Sequence, residues 1–398
     1  MPNYQGVWNL SEQYQAIGSQ NWPMAPGAPT GVSASAGDTQ ATVSFTAPTF
    51  QGVPPSITGY LVTSDPGAFT NTGSASPITV TGLSNGTSYT FSVQATNGVQ
   101  YGPAGVSGSV SPTAPIGLFG GIDQGGLGNY NSIEQITISS TGNSTDFGDL
   151  SVGRNNLGSC SSSTRGVFVG GSTINVMDYV TFSSAGNATD FGDLNATAAG
   201  ASAASNSTRG IVTRNDDIYY FTIATTGNSA TFGNWGESRT NAGMCANDTR
   251  AVVAGGNSGT QTTDYVVIAT TGSQASFGNI TGIYQQLNNG IVSSSTRGVF
   301  GGGFSSAGGG DTNVIAYITI ATTGNATDFG DLTVNRYGLG SCSSTTRGVF
   351  AGGLSGVKHN QIDYITIASA GNATDFGDLT TDETANITGC SNAHGGLA

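Results

Sequence analysis

The stretch Thr164–Gly171, which reads T-R-G-V-F-V-G-G, decides the fold of most of this chain because the chain repeats it. Further units start at Thr208, Thr249, Thr296 and Thr346, the first two of them altered, and a shortened unit covers residues 116–121. The starts at 164, 208, 249, 296 and 346 lie 41 to 50 residues apart. A period of this length is typical of proteins built from successive small sheets.

Each repeat also carries a second unit, T-x-F-G, and a strand-like run lies between the two units, as in Asp363–Ile367. The second unit places phenylalanine at 147, 191, 232, 277, 329 and 376. The intervening run carries a tyrosine at Tyr179, Tyr219, Tyr265 and Tyr317, and Gln135 in the first repeat. With the run before T-R-G, each repeat holds four strand-like runs, which predicts six four-stranded sheets.

The composition favours the same all-β class. Of 398 residues 63 are glycine and only 8% are charged, so the side chains that sustain long helices are scarce. The net charge is −13, and no Lys or Arg precedes Arg154. Nucleic acids and anionic membrane surfaces are bound by clustered Lys and Arg, so the composition argues against both as partners.

The N-terminal sequence MPNYQGVWNLSEQYQAIG has neither the basic segment nor the apolar segment of a signal peptide. No run approaches the roughly 18 apolar residues of a membrane span. We therefore expect a protein that is made in a cytoplasm and is not inserted in a membrane.

The two ends of the repeat region predict that the repeats close into a ring. The first repeat lacks the G-S-C-S-S-S run that precedes later T-R-G units, and Thr388–Asn392 supplies a spare one. If that last run pairs with the first repeat, six repeats leave no sheet edge open. The alternative is an open stack, which would need capping repeats that the sequence does not show.

The repeat region, residues 114–398, resembles the Kelch repeat. A double glycine ends the second strand, a tyrosine follows on the third, and an aromatic residue marks the fourth. The resemblance implies a six-bladed β-propeller closed by the C-terminal strand. Two features depart from the family: Phe replaces its usual Trp, and residues 211–214 of the third repeat read I-V-T-R without the double glycine.

Residues 27–113 contain the alternating runs ATVSF, ITGYLVTS, SPITVTGL and TSYTFSVQATN, separated by turn residues. This segment resembles a fibronectin type III domain. Leu83, Asn85-Gly86 and Tyr89 match that family's tyrosine corner, and Phe45 stands where the family usually has a core Trp. The resemblance implies a β-sandwich that serves as a spacer rather than as a ligand binder.

The four cysteines share one position of the repeat. Cys160, Cys245 and Cys342 lie four residues before a Thr-Arg pair, Cys390 falls at the matching place, and other repeats have Ala204 and Val292 there. A position that accepts Cys, Ala or Val is a small buried apolar site. We expect free core thiols in preference to disulfides or a metal site.

The sequence offers no candidate catalytic residue and no cofactor site. D-F-G occurs at 146, 190, 328 and 375, and its repetition favours a turn element. The carboxylate pairs 146/149, 190/193, 328/331 and 375/378 could hold calcium, but we expect them to accept backbone N–H groups or to pair with the repeated arginines. His359 and His394 are the only histidines, and neither fits a triad or metal pattern. We expect a protein that is not an enzyme.

The connections between strands differ in how much they vary. The turn S-S-T-R-G and the turn T-G-N hardly change, whereas the 2–3 and 4–1 connections vary freely. Variable loops on one face favour ligand binding, and neutral drift of exposed loops is the alternative. The ligand-binding candidates on these connections are Arg154, Arg239, Tyr284, Arg336, Tyr337, Lys358 and His359.

The lead-in, residues 1–26, carries one weak helical signal, a turn capped by Ser11. Trp8, Tyr14 and Trp22 are large anchors on a segment too short to bury them. They either fold against the next domain or dock on a partner protein.

The whole arrangement resembles virion proteins of bacteriophages, through the lead-in G-V-W-N-L-S-E-Q-Y-Q-A, the fibronectin-like spacer and the low-charge repeats. The resemblance implies a tail fibre or surface appendage, anchored to other virion proteins by residues 1–26. Its propeller would bind a host-surface glycan or a neighbouring virion protein, and a homo-oligomer is open. A purely structural capsid or tail decoration protein and a bacterial adhesin are the alternatives.

Overall fold

The computed structural model describes residues 10–18, 23–54, 56–122, 130–256, 261–280, 287, 289–305, 310–381 and 385–397. The chain divides into two units, Met1–Ala114 and Pro115–Ala398. Within the described residues, strands dominate both units, and the helices are one α-helix in the first unit and one short 3-10 helix in the second. The all-β class predicted from the composition is confirmed.

The first unit contains one helix and two antiparallel sheets. The helix α1 spans Leu10–Gly18, and the strands are β1 (Thr30–Gly37), β2 (Gln40–Thr46), β3 (Gly59–Asp65), β4 (Thr70–Gly73), β5 (Ile78–Thr81), β6 (Thr90–Thr96) and β7 (Tyr101–Val106). The sheets have the orders β1-β2-β5 and β4-β3-β6-β7. Every second residue of β2, β3 and β6 is buried, as the alternating sequence predicts, so the inward faces form one core.

The tyrosine corner lies where the sequence predicts it. The hydroxyl oxygen of Tyr89 accepts a hydrogen bond from the backbone N–H of Ser84 at 3.0 Å, and the Tyr89 ring is buried beside Leu83 in the same core. Phe45, at the family's Trp position, is buried and packs on Tyr60 with ring centroids 4.6 Å apart.

The described residues of the second unit form six four-stranded sheets, numbered here in chain order. Their strands are β8 (Ile116–Ile122), β9 (Ser132–Thr137) and β10 (Thr145–Asp149) in sheet 1; β11 (Gly158–Ser161), β12 (Arg165–Val169), β13 (Val176–Thr181) and β14 (Thr189–Asp193) in sheet 2; β15 (Ser202–Ser205), β16 (Arg209–Arg214), β17 (Asp217–Thr222) and β18 (Ala230–Asn234) in sheet 3; β19 (Gly243–Ala246), β20 (Arg250–Ala254), β21 (Thr262–Val267) and β22 (Ala275–Asn279) in sheet 4.

Sheets 5 and 6 complete the set. Sheet 5 has β23 (Ile291–Ser293), β24 (Arg297–Gly301), β27 (Val314–Thr319) and β28 (Thr327–Asp331), with a small hairpin of β25 (Phe304–Ser305) and β26 (Gly310–Asp311) inserted; sheet 6 has β29 (Gly340–Ser343), β30 (Arg347–Ala351), β31 (Gln361–Thr366) and β32 (Thr374–Asp378). The strand β33 (Thr388–Ser391) and a 3-10 helix at Gly395–Leu397 follow.

Each sheet is an antiparallel meander, and β33 supplies the fourth strand of sheet 1. It pairs with β8 in the register Thr388↔Gly120 to Ser391↔Gly117. The prediction that the C-terminal run completes the first repeat is therefore confirmed. Sheet 1 is the one sheet formed from two distant parts of the chain.

The first strands of neighbouring sheets contact one another in cyclic order: β11, β15, β19, β23, β29, β33 and again β11. Serine hydroxyls link them, and this explains the repeated G-S-C-S run. The Oγ of Ser205 donates to the carbonyl of Ser161, and the Oγ of Ser161 donates to the carbonyl of Ser391, both at 2.7 Å. The Oγ of Ser343 donates to the carbonyl of Ser293 at 2.9 Å.

The arginine of each T-R-G unit links its sheet to the next one. The guanidinium of Arg297 lies over the ring of Tyr317, 4.6 Å from its centroid, and donates at 2.9 Å to the carbonyl of Ile367 in sheet 6. Arg165, Arg209, Arg250 and Arg347 make the same two contacts. Our expectation that these arginines pair with the repeated carboxylates is wrong, because carbonyls and rings hold them.

One tyrosine assignment is also wrong. The sequence pattern matches Tyr219 to the tyrosines of the other repeats, but in sheet 3 Arg209 lies over Tyr220. Since strand residues alternate between faces, this one-residue shift places Tyr219 on the opposite face, where it packs in the core cluster of Phe191 and Phe221.

Replacing Arg347 with methionine is expected to lower the free energy of unfolding by about 1–2 kcal/mol, because it removes one cation–π contact and one charged hydrogen bond. Arg347 links sheet 6 to sheet 1 through the carbonyl of Ile138 at 2.9 Å. Arg214→Met is the control, since its pair with Asp217 is partly exposed, and it should cost less than about 0.5 kcal/mol. Equal costs in urea unfolding would refute the link.

The T-G-N turn of each repeat docks on the last strand of the preceding sheet. The Oδ1 of Asn372 accepts from the backbone N–H of Asp331 at 3.1 Å. Gly330, with φ of 147°, faces the carbonyl of Gly371 so closely that a Cβ would overlap it. The glycine of T-x-F-G is therefore fixed by the approach of the next sheet.

The shared cysteine position packs against the glycine of the next sheet's T-R-G unit. Cys160 faces Gly210, Cys245 faces Gly298, Cys342 faces Gly117, Cys390 faces Gly166 and Val292 faces Gly348. All four cysteines are free and buried, as expected. Between sheets 3 and 4 both members change together, to Ala204 and Ala251, which lie in one core cluster. The smaller side chain at the cysteine position, Ala204, leaves room for the Cβ of Ala251 at the glycine position.

Candidate functional site

Three of the predicted ligand-binding residues lie in the interior. The side chains of Arg154, Arg239 and Arg336 have no exposed surface, and they form ion pairs with Asp178, Asp264 and Asp363. The expectation that they lie on an exposed loop face is wrong. A buried guanidinium with a carboxylate partner holds its loop in place and does not meet a ligand at the surface.

Arg336 shows what these arginines do. Its Nη2 lies 2.7 Å from Oδ2 of Asp363, and its Nη1 donates to the carbonyls of Gly352 and Gln361 at 2.8 and 2.7 Å. The same carboxylate accepts from the hydroxyl of Thr333 at 2.7 Å. The connection from sheet 5 to sheet 6 is therefore fixed to the third strand of sheet 6.

The other candidates on this connection do come together. Tyr337 pairs with Leu354 through two backbone hydrogen bonds, 3.1 and 2.8 Å long, and Leu354 in turn bridges to Lys358. The backbone N–H of His359 donates to the carbonyl of Gly353 at 2.9 Å. Residues that are separated by about twenty positions in the sequence thus share one surface.

The hairpin β25–β26 of sheet 5 adds two side chains to this surface. Phe304 packs against Tyr337 with ring centroids 5.3 Å apart and planes inclined at 50°. Asp311 lies opposite Phe304 in the hairpin and is close enough for its charge to act on Tyr337. We name Phe304, Asp311, Tyr337, Ser355, Lys358 and His359 the loop cluster; all six are partly exposed.

Burial and neighbouring charges shift the pKa values of three groups in the loop cluster. Burial, and then the charge of Asp311, raises the pKa of Tyr337, and burial raises the pKa of Asp311. Burial, and then the charge of Arg336, lowers the pKa of His359. The Nε2 of His359 lies 2.6 Å from Oγ of Ser355. The loop cluster therefore offers two inclined rings beside a carboxylate, an imidazole and a hydroxyl.

Three predicted residues, Trp8, Trp22 and Tyr284, lie outside the described residues. The anchor candidate Tyr14 lies on α1 and is 70% exposed. Sequence reasoning missed Phe304, Asp311 and Ser355. The variability of the 2–3 connections pointed to this loop, but no local pattern showed which of its residues meet Tyr337.

A cavity lies between the first strands of the six sheets, on the axis of their cyclic arrangement. It has a volume of about 60 Å³. Its lining includes the four cysteines, several serines of the G-S-C-S runs, and His394. Four of the first strands are preceded by an asparagine with a left-handed φ value of 54° to 68°, namely Asn156, Asn241, Asn289 and Asn386. These residues lie at the end of the first strands that is opposite to His394. The side-chain amide of Asn289 reaches across to the carbonyl of Leu157 in sheet 2 at 2.9 Å.

Within the described residues, no His, Cys, Asp or Glu groups have a metal-binding arrangement, and no helix is long and apolar enough to span a membrane. The model of the family described as Fibronectin type III domain matches residues 27–109, and this segment is such a domain. No curated protein matches the chain. The chain is similar to a solved structure titled "Structure of YjhT", at 9% identity and a TM-score of 0.47, over 58% of this chain and 86% of that chain.

Proposed function

We propose that this chain is a non-enzymatic binding protein whose second unit is a six-bladed Kelch-like β-propeller. Three observations support the propeller: six four-stranded meanders, first strands in contact in cyclic order, and a C-terminal strand that completes sheet 1. The repeat also has the Kelch order of double glycine, tyrosine and aromatic residue. A ring of this kind presents its variable connections as one rigid surface.

The proposed ligand is a host-surface glycan, bound by the loop cluster. The observation that carries this proposal is the inclined pair of Phe304 and Tyr337, half-exposed beside Asp311, Lys358 and His359. A sugar ring presents an apolar face that stacks on an aromatic ring and hydroxyls that need donors and acceptors. The loop cluster offers both, and burial raises the pKa of Tyr337 and lowers the pKa of His359, which favours the uncharged form of each.

The proposed setting is a bacteriophage virion, with the protein as a tail fibre or surface appendage. The lead-in, the fibronectin type III spacer and the low-charge repeats support this setting through their resemblance to virion proteins. Residues 1–26 would join the protein to other virion proteins. A purely structural decoration of capsid or tail is the second candidate, because the serine and arginine contacts between sheets also suit a rigid covering.

Replacing Tyr337 with alanine is expected to weaken glycan binding at least tenfold, because it removes one of the two stacking faces, worth about 1.4 kcal/mol or more. The measurement is binding of the full chain to a panel of bacterial surface polysaccharides. Tyr101→Ala, an equally drastic change at a residue of the first unit that is 51% exposed, is the control and should bind as wild type.

Two outcomes would contradict the glycan proposal. Wild-type protein that binds none of the polysaccharides favours the decoration candidate. Binding that Tyr337→Ala leaves unchanged moves the site away from the loop cluster.

A further inference from the structure

The segment that follows β33 lies at one end of the axial cavity, where His394 contributes to the lining. Residues 392–397, named here the cap segment, lie against the first strands and the turns that follow them. Asn392 exchanges hydrogen bonds with Ile116: its Oδ1 accepts at 2.8 Å and its N–H donates at 3.2 Å. His394 then lies over the cavity, and the 3-10 helix Gly395–Leu397 ends the segment.

The cap segment fits tightly. A Cβ on Gly395 would overlap the backbone of Ser294 in sheet 5, and a Cβ on Gly396 would overlap the carbonyl of Ser205 in sheet 3. Both glycines are buried. The segment therefore contacts both sheet 3 and sheet 5, which are separated by sheet 4 in the cyclic order.

The hydrogen bonds of His394 fix its charge and its tautomer. Its Nε2 is 3.0 Å from the carbonyl oxygen of Ser161, which can only accept, so Nε2 carries the hydrogen. Its Nδ1 is 3.1 Å from the backbone nitrogen of Gly396, which can only donate, so Nδ1 carries none. A proton on Nδ1 would set two donors against each other and leave the buried N–H of Gly396 without its acceptor.

We propose that residues 392–397 form a pH-released cap on the axial cavity, held closed by neutral His394 and opened when its Nδ1 takes up a proton. Release opens the cavity to solvent and gives a reagent access to the first strands that carry the four cysteines. At the other end of the first strands, the side-chain amide of Asn289 donates to the carbonyl of Leu157, and the cap segment controls access from its own side.

The groups that face His394 do not compete with it over the relevant pH range. The titratable groups that line the cavity with it are the four thiols, and burial raises the pKa of Cys160 and of Cys245 to about 12. Among the described residues of the turns that follow the first strands, the carboxylate is that of Asp248, which is exposed and screened by water. The arginines that follow these turns donate to carbonyls of the next sheet.

The direction of the pH dependence follows from the pKa of His394. Burial lowers that pKa from 6.5 to about 4 in the closed state, although the hydrogen bond to Ser161 opposes the shift. The open state takes up a proton first as the pH falls below about 6.5, so acid favours opening. Between pH 7.5 and 4.5 this difference should increase the open fraction on the order of 70-fold.

The test measures how fast the cavity thiols of the full chain react with 4,4′-dithiodipyridine, which labels thiols in acid as well as at neutral pH. We expect the rate, normalised to a small free thiol, to rise at least tenfold from pH 7.5 to 4.5. His394→Gln keeps one donor and one acceptor but takes up no proton, so its rate should stay low. His359→Gln, the same substitution at the histidine of the loop cluster, is the control for labelling alone, and its thiol-labelling rate should rise in acid as the wild-type rate does.

Gly396→Ala is an independent test of the cap. Its new Cβ would push the cap segment away from Ser205, so the thiol-labelling rate should already be raised at pH 7.5. Fluorescence of the fully buried Trp235 reports whether the ring itself unfolds. A wild-type rate that does not change with pH overturns the proposal. So does a His394→Gln rate that rises as much as wild type, or acid labelling that occurs only together with exposure of Trp235.

Discussion

Asp363→Asn should lower the free energy of unfolding by about 3–5 kcal/mol, the largest effect expected from any single change considered for this chain. The substitution keeps the size of the side chain but removes the charge that faces Arg336 at 2.7 Å. Both side chains have no exposed surface, so the guanidinium would stay buried without a counter-charge. Urea unfolding of the full chain, followed by the fluorescence of buried Trp235, measures the loss.

Asp217→Asn is the matched control for this experiment. It makes the same chemical change in the pair of Asp217 with Arg214, whose side chains are 37% and 28% exposed at a distance of 3.3 Å. Water and salt screen such a pair, so the expected loss is less than about 1 kcal/mol. If the two substitutions cost the same, Arg336 is not the structural anchor of its loop.

The second large effect concerns the contact between Cys245 and Gly298. Gly298→Ala should lower the free energy of unfolding by about 2–3 kcal/mol, because the new Cβ overlaps the Sγ of Cys245 across the interface of sheets 4 and 5. Cys245→Ala alone should cost about 1 kcal/mol through lost apolar burial. The double variant should return to within about 1 kcal/mol of wild type.

The chain already contains the pair of residues that the double variant would create. The interface of sheets 3 and 4 already carries alanine at both positions, Ala204 and Ala251, in one buried cluster. The double variant copies that solution into the neighbouring interface, so the two substitutions should be coupled by more than 1 kcal/mol. If their costs simply add, the two residues do not share the space between the sheets.

Sequence reasoning was strongest where the repeats carry the information. Thr388–Asn392 was predicted to complete the first repeat, since that repeat lacked one run and the end of the chain had one to spare. The observed pairing of β33 with β8 confirms it. Tyr89 was predicted to cap a turn from its spacing after Leu83, and its hydroxyl does so at Ser84. In each case the signal lay in neighbouring residues or in comparison between repeats.

The exposure of loop residues was predicted less well, because the sequence of a loop does not show which of its side chains are buried. Arg154, Arg239 and Arg336 stood in variable, glycine-rich connections, where arginine is ordinarily exposed. Their partners Asp178, Asp264 and Asp363 lie on third strands, 24 to 27 positions away. Only the fold brings such groups close enough to offset the cost of burying a guanidinium.

The sequence by itself determined the all-β class, the fibronectin type III domain, the number of sheets and the strand that completes the first of them. These depend on side-chain alternation and on a repeated spacing, both of which are local. The tertiary structure alone decided which charges are buried, that Phe304 meets Tyr337, and that His394 lies over the axial cavity. Those contacts join different sheets or loops, and their free energy comes from burial that the local sequence does not set.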